Sequence, residues 1–387
     1  MSKIRSHTSQ SLFKDFLESE KSGGLVLIAC TLLSLVLANS PIGESYLGMW
    51  QTKWLGLSVE HWVNDALMAI FFLLIGLELE REVYVGELSR LKDALLPMFA
   101  ALGGVLVPAG LYLSLNYGTP AQSGAGITMA TDIAFALGVL SLLGSRVPVS
   151  LKIFLTALAV IDDLCAILII AIFYTKTIFW GNLAIALGIF AILLVFNRLQ
   201  IKKLSVYLVG GALMWFFMLQ SGVHATITGV LLAFAIPFGK GDQEENSISY
   251  KLQHILHQPV AFIILPIFAL ANTAIVLSGD LGQTLSQSHS VGIMLGLVVG
   301  KPLGIFLMAY LAVRFGLCSL PSDLNWKAIF GAGLLGGIGF TMSIFITLLA
   351  FDDAAMINDA KLSILLASLI AGVFGFLMLH RLFRRSA

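Results

Sequence analysis

Apolar residues run along this chain in twelve blocks, centred within residues 24–40, 60–79, 95–116, 121–143, 150–174, 181–197, 204–219, 223–237, 259–277, 291–312, 327–350 and 357–379. Lipid offers the backbone no hydrogen-bond partners, so the element that such a block predicts is a helix of about 20 apolar residues that satisfies itself. The blocks at 24–40, 204–219 and 223–237 are short for a full crossing. The pattern predicts an all-α polytopic membrane protein with about twelve transmembrane helices, numbered here as spans 1 to 12.

Composition agrees. Of 387 residues 58% are apolar and only 12% charged, against roughly 25% charged in soluble domains. The placement of charge then orients the chain. With the N-terminus in the cytoplasm, nineteen of the 23 Lys and Arg residues fall in inner segments, and only Lys53, Lys176 and Lys361 fall in outer ones. This is the positive-inside pattern for twelve spans with both termini cytoplasmic. The remaining cation, Lys301, lies alone inside span 10 and is the first functional clue.

No polar connection is long enough to form a soluble domain, so residues 1–387 read as a single integral membrane domain. It carries a cytoplasmic N-terminal segment at 1–22, whose polar character argues against a cleaved secretory signal. A cytoplasmic loop is expected at 239–258. Residues 44–57, where Gly48 and Gly56 punctuate aromatic and β-branched residues, suggest a short external β-hairpin or an interfacial segment. Trp50 and Trp54 there suit the lipid surface or a partner subunit. Cys30, Cys165 and Cys318 have neither disulfide nor metal spacing, and with a net charge of +1 and no basic cluster beyond ordinary loop anchors nothing suggests nucleic-acid binding.

Spans 4 and 11 carry unusual punctuation. Span 4 begins with Gly124 and Gly126 and places Thr131 and Asp132 near its middle; span 11 runs through Gly331, Gly333, Gly336, Gly337 and Gly339 before Thr341. Glycine clusters also serve close helix packing. The sharper reading is that both helices are interrupted, since transporters place ion sites at breaks in two such helices, in corresponding positions of inverted repeats. Spans 3–5 and 10–12 would be the related triplets, and they start on opposite sides as inversion requires.

Three carboxylates lie deep in apolar spans: Asp132 in span 4, and Asp162 with Asp163 in span 5. An Asp at mid-span costs about 2.5–3.5 kcal/mol to insert, so each needs a reason. Neighbours on a helix point about 100° apart, so Asp162 and Asp163 cannot both face one partner. One can pair with Lys301 while the other faces an aqueous funnel and binds a cation; geometry does not say which. Burial favours the neutral form of a carboxyl group, so such an Asp can hold either a proton or a sodium ion. Competition for one site suffices for exchange. Lys301, between Gly300 and Pro302, is either a fixed counter-ion or a second proton carrier. Asp132 is placed to neutralise positive helix ends at a crossing, and Thr131 to lend an oxygen to the cation.

Span 2 contributes Asp65 and Glu78 as candidate funnel residues that attract cations. Histidine titrates in the physiological range, so His254 and His257, three apart before span 9, are candidate pH sensors. His224 opens span 8 as a further candidate, or as a packed, hydrogen-bonded residue.

Six ordered motifs then identify a resemblance: residues 64–78 (NDALMAIFFLLIGLE), 130–139 (ATDIAFALGV), 159–164 (AVIDDL), 221–226 (SGVHAT), 300–304 (GKPLG) and 337–345 (GIGFTMSIF). The chain resembles the NhaA family of bacterial sodium/proton antiporters over nearly its whole length, a family that itself exemplifies the inverted-repeat arrangement. The resemblance implies crossed broken helices at spans 4 and 11 and electrogenic, pH-regulated exchange of intracellular Na+ or Li+ for external H+ across the bacterial inner membrane. It implies that Asp163 is the principal cation and proton site, that Asp162 pairs with Lys301, and that Thr131 with Asp132 supports the crossing. It also implies a homodimer formed through residues 44–57, with no cofactor. Gln253 departs from the glutamate expected just before the first histidine of the pair and cannot titrate. Pro259 replaces an expected aromatic residue, so the pH response is expected to be shifted or differently built, and Glu80 replaces an expected basic one, which is expected to make the funnel mouth more acidic.

Two rivals belong to other classes. An intramembrane aspartyl protease needs two carboxylates that share a proton face to face, which adjacent helix positions cannot do. A proton-coupled symporter of a small solute would keep Asp163 but needs a larger polar pocket than these spans can line.

Overall fold

The computed structural model describes residues 22–175, 177–239, 244–277 and 281–384. Within them the helices are α1 (Ser22–Ala38), α2 (Gly43–Gln51), α3 (Val59–Tyr84), α4 (Leu91–Asn116), α5 (Ile133–Ser141), α6 (Val149–Phe173), α7 (Trp180–Arg198), α8 (Leu204–Ser221), α9 (Ile227–Ala235), α10 (Ile248–Asn272), α11 (Leu281–Ser286), α12 (Ser288–Arg314), α13 (Trp326–Gly336), α14 (Phe340–Ala350) and α15 (Ala354–Arg384). A 3-10 segment, Gln122–Thr128, precedes α5.

Nine stretches of the described residues are long and apolar enough to cross a membrane, and two bent pairs, α1 with α2 at 113° and α13 with α14 at 48°, raise the number to eleven. The twelfth expected block, 223–237, yields only the nine-residue α9. Gly222, at φ 82°, ends α8, and Ile236 is extended, so the apolar block is longer than the helix within it.

The chain divides into two compact units, and α6 passes from one to the other between Asp162 and Asp163. The first unit comprises the described parts of 1–36, 95–162 and 275–387. Here the order long helix, broken helix, long helix occurs twice: α4, Gln122–Thr128 with α5, and the start of α6; then α12, α13 with α14, and α15. The breaks fall at residues 129–132 and 337–339. Helix α14 packs along Gln122–Thr128 while α13 packs against α5, so each half of one broken helix lies on the opposite half of the other. Gly337, at the break of the second broken helix, lies against α12: a Cβ at that position would lie 2.4 Å from the carbonyl oxygen of Leu297. The glycines of span 11 therefore serve close packing as well as the interruption. In α12 the five residues Gly296–Gly300 form a π-helical turn directly before Lys301.

The second unit comprises 37–94 and the described parts of 163–274. Helix α9 lies on α3 at backbone distance, since a Cβ on Gly229 would lie 2.1 Å from the carbonyl oxygen of Ala69. Around this contact Leu73, Leu77, Tyr207, Met214 and Leu232 form the unit's apolar core together with α7 and α8. Two expectations are corrected here. Residues 44–51 belong to helix α2, with Glu44 in its first turn where the dipole favours an anion. The hairpin is confined to β1 (Lys53–Trp54) and β2 (Leu57–Ser58), antiparallel with Lys53 opposite Ser58. Leu55 and Gly56, both at positive φ, form its two-residue turn. The polar connection before span 9 is also shorter than 239–258. Ser247 accepts the N–H of Tyr250 and starts α10 at Ile248, so His254 and His257 lie on that helix.

Candidate functional site

Asp162 and Asp163 sit midway along α6, each about 1% exposed, and Lys301 is fully buried. Lys301 Nζ lies 3.0 Å from Asp162 Oδ2. It also donates to the carbonyl of Met129. The same Asp162 oxygen lies 2.7 Å from Thr131 Oγ1, which is 2.9 Å from the carbonyl oxygen of Gly336. Asp162 Oδ1 has no hydrogen-bond partner among the described residues. Two opposite charges removed from water hold each other here, an arrangement in which loss of one partner leaves the other uncompensated.

The broken helices explain the remaining contacts. Met129 follows the 3-10 segment and Gly336 closes α13, so their carbonyls stand at C-terminal helix ends, which carry partial negative charge. The donors that meet them are the Lys301 ammonium and the Thr131 hydroxyl. Positive ends face Asp132 instead. One of its oxygens caps α5 by accepting the N–H of Phe135 at 2.9 Å. The other accepts the N–H of Thr341, in the first turn of α14, at 3.1 Å, together with the Thr341 hydroxyl. The backbone N–H of Asp132 donates to the carbonyl of Ile338 at 2.7 Å, and Ser343 Oγ to that of Ile127 at 2.7 Å. Half-helix ends that lipid could not satisfy are thus satisfied by each other's residues.

The other predicted residues belong to the second unit. Asp65 lies in a π-helical turn near the start of α3, its carboxylate 2.7 Å from His61 Nε2. Glu78, half-buried, lies thirteen residues further along the same helix, about 20 Å at 1.5 Å per residue, so the two cannot line one mouth. His224 Nε2 contacts the carbonyl of Tyr174 at 3.1 Å, a packed and hydrogen-bonded setting. On α10, His254 is exposed and its ring stands 4.0 Å from that of Tyr250, while Gln253 and His257 are half-buried.

Several participants were not apparent from the sequence. The carbonyls of Met129 and Gly336 are backbone groups and carry no residue signal. Glu80 is only 4% exposed and accepts from Ser249 at 3.1 Å, and beside it Arg81 pairs with Glu244 at 3.0 Å. Glu80 is therefore a buried link between α3 and α10. Its position two residues from Glu78 on a helix gave no sign of that.

Comparison with known proteins places this architecture. A family described as Na+/H+ antiporter 1 matches residues 14–379. The chain is 69% identical to a protein named Na(+)/H(+) antiporter NhaA from Flavobacterium psychrophilum, over 95% of each chain. It is 62% identical to one of the same name from Cytophaga hutchinsonii and 61% identical to one from Dechloromonas aromatica, again over 95% of each chain. With two crossed broken helices, a buried Asp–Lys pair at the crossing, and identity of this extent, the chain belongs to the Na+/H+ antiporter 1 family.

Proposed function

We propose that this multi-pass membrane protein exchanges Na+ or Li+ from the cell interior for external H+, with Asp163 as the group for which cation and proton compete. The observation that carries the assignment is the engagement of Asp162 Oδ2 by both Lys301 and Thr131, beside a second buried carboxylate one residue further along the helix. A proton on Asp163 removes the charge that holds sodium, and sodium displaces the proton. If only the occupied site reorients, the two fluxes are coupled. The relatives' names specify exchange, and the symporter reading is not pursued.

The same reading places the protein in the bacterial inner membrane with both termini cytoplasmic, on the strength of its basic residues. Exchange is electrogenic and rises with pH, with His254, His257 and their neighbour Gln253 on α10 as the responsive region and Glu78 at the inner mouth. A homodimer forms through residues 44–57, where Trp54 and Leu55 at the hairpin tip are exposed and ring contacts, Trp54 tilted against Trp62 and Trp62 stacked on Trp215, stiffen the base.

The test is proton flux in everted vesicles or proteoliposomes after addition of sodium, lithium or potassium across a range of pH. Sodium should alkalinise the lumen of acid-loaded vesicles, and Asp163→Asn should abolish the signal. Full exchange in that variant would remove Asp163 from the role.

A further inference from the structure

His289, in the first turn of α12, is only 7% exposed, and its Nε2 has no hydrogen-bond partner among the described residues. A buried polar group left in this way is costly and needs a reason. Helix α12 packs along α15, and Asp359 Oδ2, in the second turn of α15, lies 3.7 Å from that nitrogen, beyond hydrogen-bond reach. Phe351, just before α15, meets the imidazole edge-on at 6.3 Å between ring centroids. The other side of the same helix end is already fixed. Asn116, the last residue of α4, donates to the carbonyl of Ser288 at 3.2 Å, and a Cβ on Gly292 would lie 2.7 Å from that amide nitrogen. The start of α12 is therefore tied to α4, whereas toward α15 one polar contact stands unmade.

We propose that His289 and Asp359 form a clasp worked by external protons, which closes when the pH outside falls through the histidine range and pins the start of α12 to α15, slowing exchange. A neutral imidazole presents Nε2 as donor or acceptor according to its tautomer, whereas the imidazolium donates from both nitrogens. Charge-assisted bonds of this kind close to about 2.7–2.9 Å, so protonation draws the two side chains across the short gap that now separates them. The other titratable and charged groups at this end of the unit leave the pairing to Asp359. Asp352 and Asp353 are exposed between α14 and α15, and Asp353 accepts the N–H of Ala355 at 2.8 Å. Lys361 follows Asp359 by two positions, about 200° around the helix. On α4, Tyr112 donates its hydroxyl to the carbonyl of Ala121 at 2.7 Å, and α11 carries no charged residue. The π-helical turn Gly296–Gly300 and Lys301 lie further along α12, so a pin at His289 restrains the helix that carries the buried cation. The clasp goes beyond the exchange reading and rests on it, and on the orientation drawn from the basic residues, for its transport readout alone.

The experiment compares the parent with His289→Gln and Asp359→Asn in everted vesicles, whose lumen is the external face. Sodium-dependent proton flux is measured with the medium held at one alkaline pH and the lumen set to about pH 7.5 or about pH 5.5, on either side of the histidine range. The change in driving force is common to all three proteins, so the ratio of the acid-lumen rate to the neutral-lumen rate isolates the clasp. That ratio should be about threefold lower in the parent than in either variant. Equal ratios in the three proteins, including a uniform loss of rate in a variant, would overturn the proposal. Nitrogen-15 NMR of the histidine-labelled full chain in lipid nanodiscs supplies a readout that needs no transport. The resonance that His289→Gln removes should titrate between about pH 5 and pH 7 in the parent, and at a pH lower by about half a unit to one unit in Asp359→Asn, which takes away the anion that favours the imidazolium. Coincident titration in the parent and Asp359→Asn, or no titration in that range, would likewise overturn it. A parent that moves no protons on sodium addition would sink the exchange reading and leave the clasp to be decided by the NMR titration.

Discussion

Asp132 and Thr341 stand 209 positions apart in the chain, yet the carboxylate of the first accepts both the backbone N–H and the hydroxyl of the second. With the N–H of Phe135 this gives Asp132 three donors, drawn from the starts of two different half-helices. Asp132→Ala leaves buried donors unmade at both, for a loss of about 2–4 kcal/mol. Asp132→Asn keeps an acceptor and should lose less. Thermal inactivation of purified protein in detergent, with the melting temperatures in the order parent, Asn, Ala, checks this, and equal values for Asn and Ala would count against the double cap.

Lys301→Ala strips Asp162 of its counter-charge and removes the donor to Met129. Breaking a buried pair from one side costs about 3–5 kcal/mol, most of it the penalty of the stranded charge. The double variant Lys301→Ala with Asp162→Asn should therefore melt higher than Lys301→Ala alone. Additive losses would show that the two side chains contribute independently.

The contact of α9 with α3 has no room for a side chain at Gly229. Gly229→Ala should destabilise by about 1–3 kcal/mol through overpacking. Gly110, in the interior of α4 with nothing within 4 Å of a built Cβ, is the matched control; Gly110→Ala should be neutral or stabilising by up to about 1 kcal/mol. Both are read as melting temperatures, and a tolerated Gly229→Ala would mean that α9 can move off α3.

Cys318, in the segment between α12 and α13, is half-buried, and burial pushes its thiol above the ordinary range. The thiolate is the reactive form, so raising the pKa lowers the reactive fraction at every pH below it. Alkylation by a membrane-impermeant maleimide should lag that of a free cysteine at neutral pH and keep rising beyond pH 9. In the orientation drawn from the basic residues, Cys318 faces the cytoplasm, so everted vesicles should label and right-side-out cells should not. The reverse result would invert the topology.

How much of this was legible in the sequence differs from feature to feature. The apolar blocks located the long helices because lipid leaves the backbone a single local solution. Lys301 stood out because a cation in an apolar span is costly. The adjacency of Asp162 and Asp163 required unequal environments, but the backbone carbonyls of Met129 and Gly336, which complete the cluster, depend on where two helices break and meet. Residues 223–237, short for a crossing by the sequence, hold the nine-residue α9, because hydropathy measures surroundings and not helix length. Residues 44–51 were misassigned to a hairpin because aromatic and β-branched composition describes a half-buried surface, which a short helix also presents. The burial of Glu80 was not legible because its partner, Ser249, is distant in sequence.

The crossing also bears on how the chain is made. Residues of Gln122–Thr128 and α5 leave the ribosome some two hundred residues before α14, which supplies the donors for Asp132. Until then an open helix break and its carboxylate must wait in or beside the insertion machinery, where water or the channel wall can stand in for Thr341. Synthesis from the N-terminus therefore leaves this crossing to be completed late, and a chain truncated before residue 341 would lack the donors that Thr341 gives Asp132.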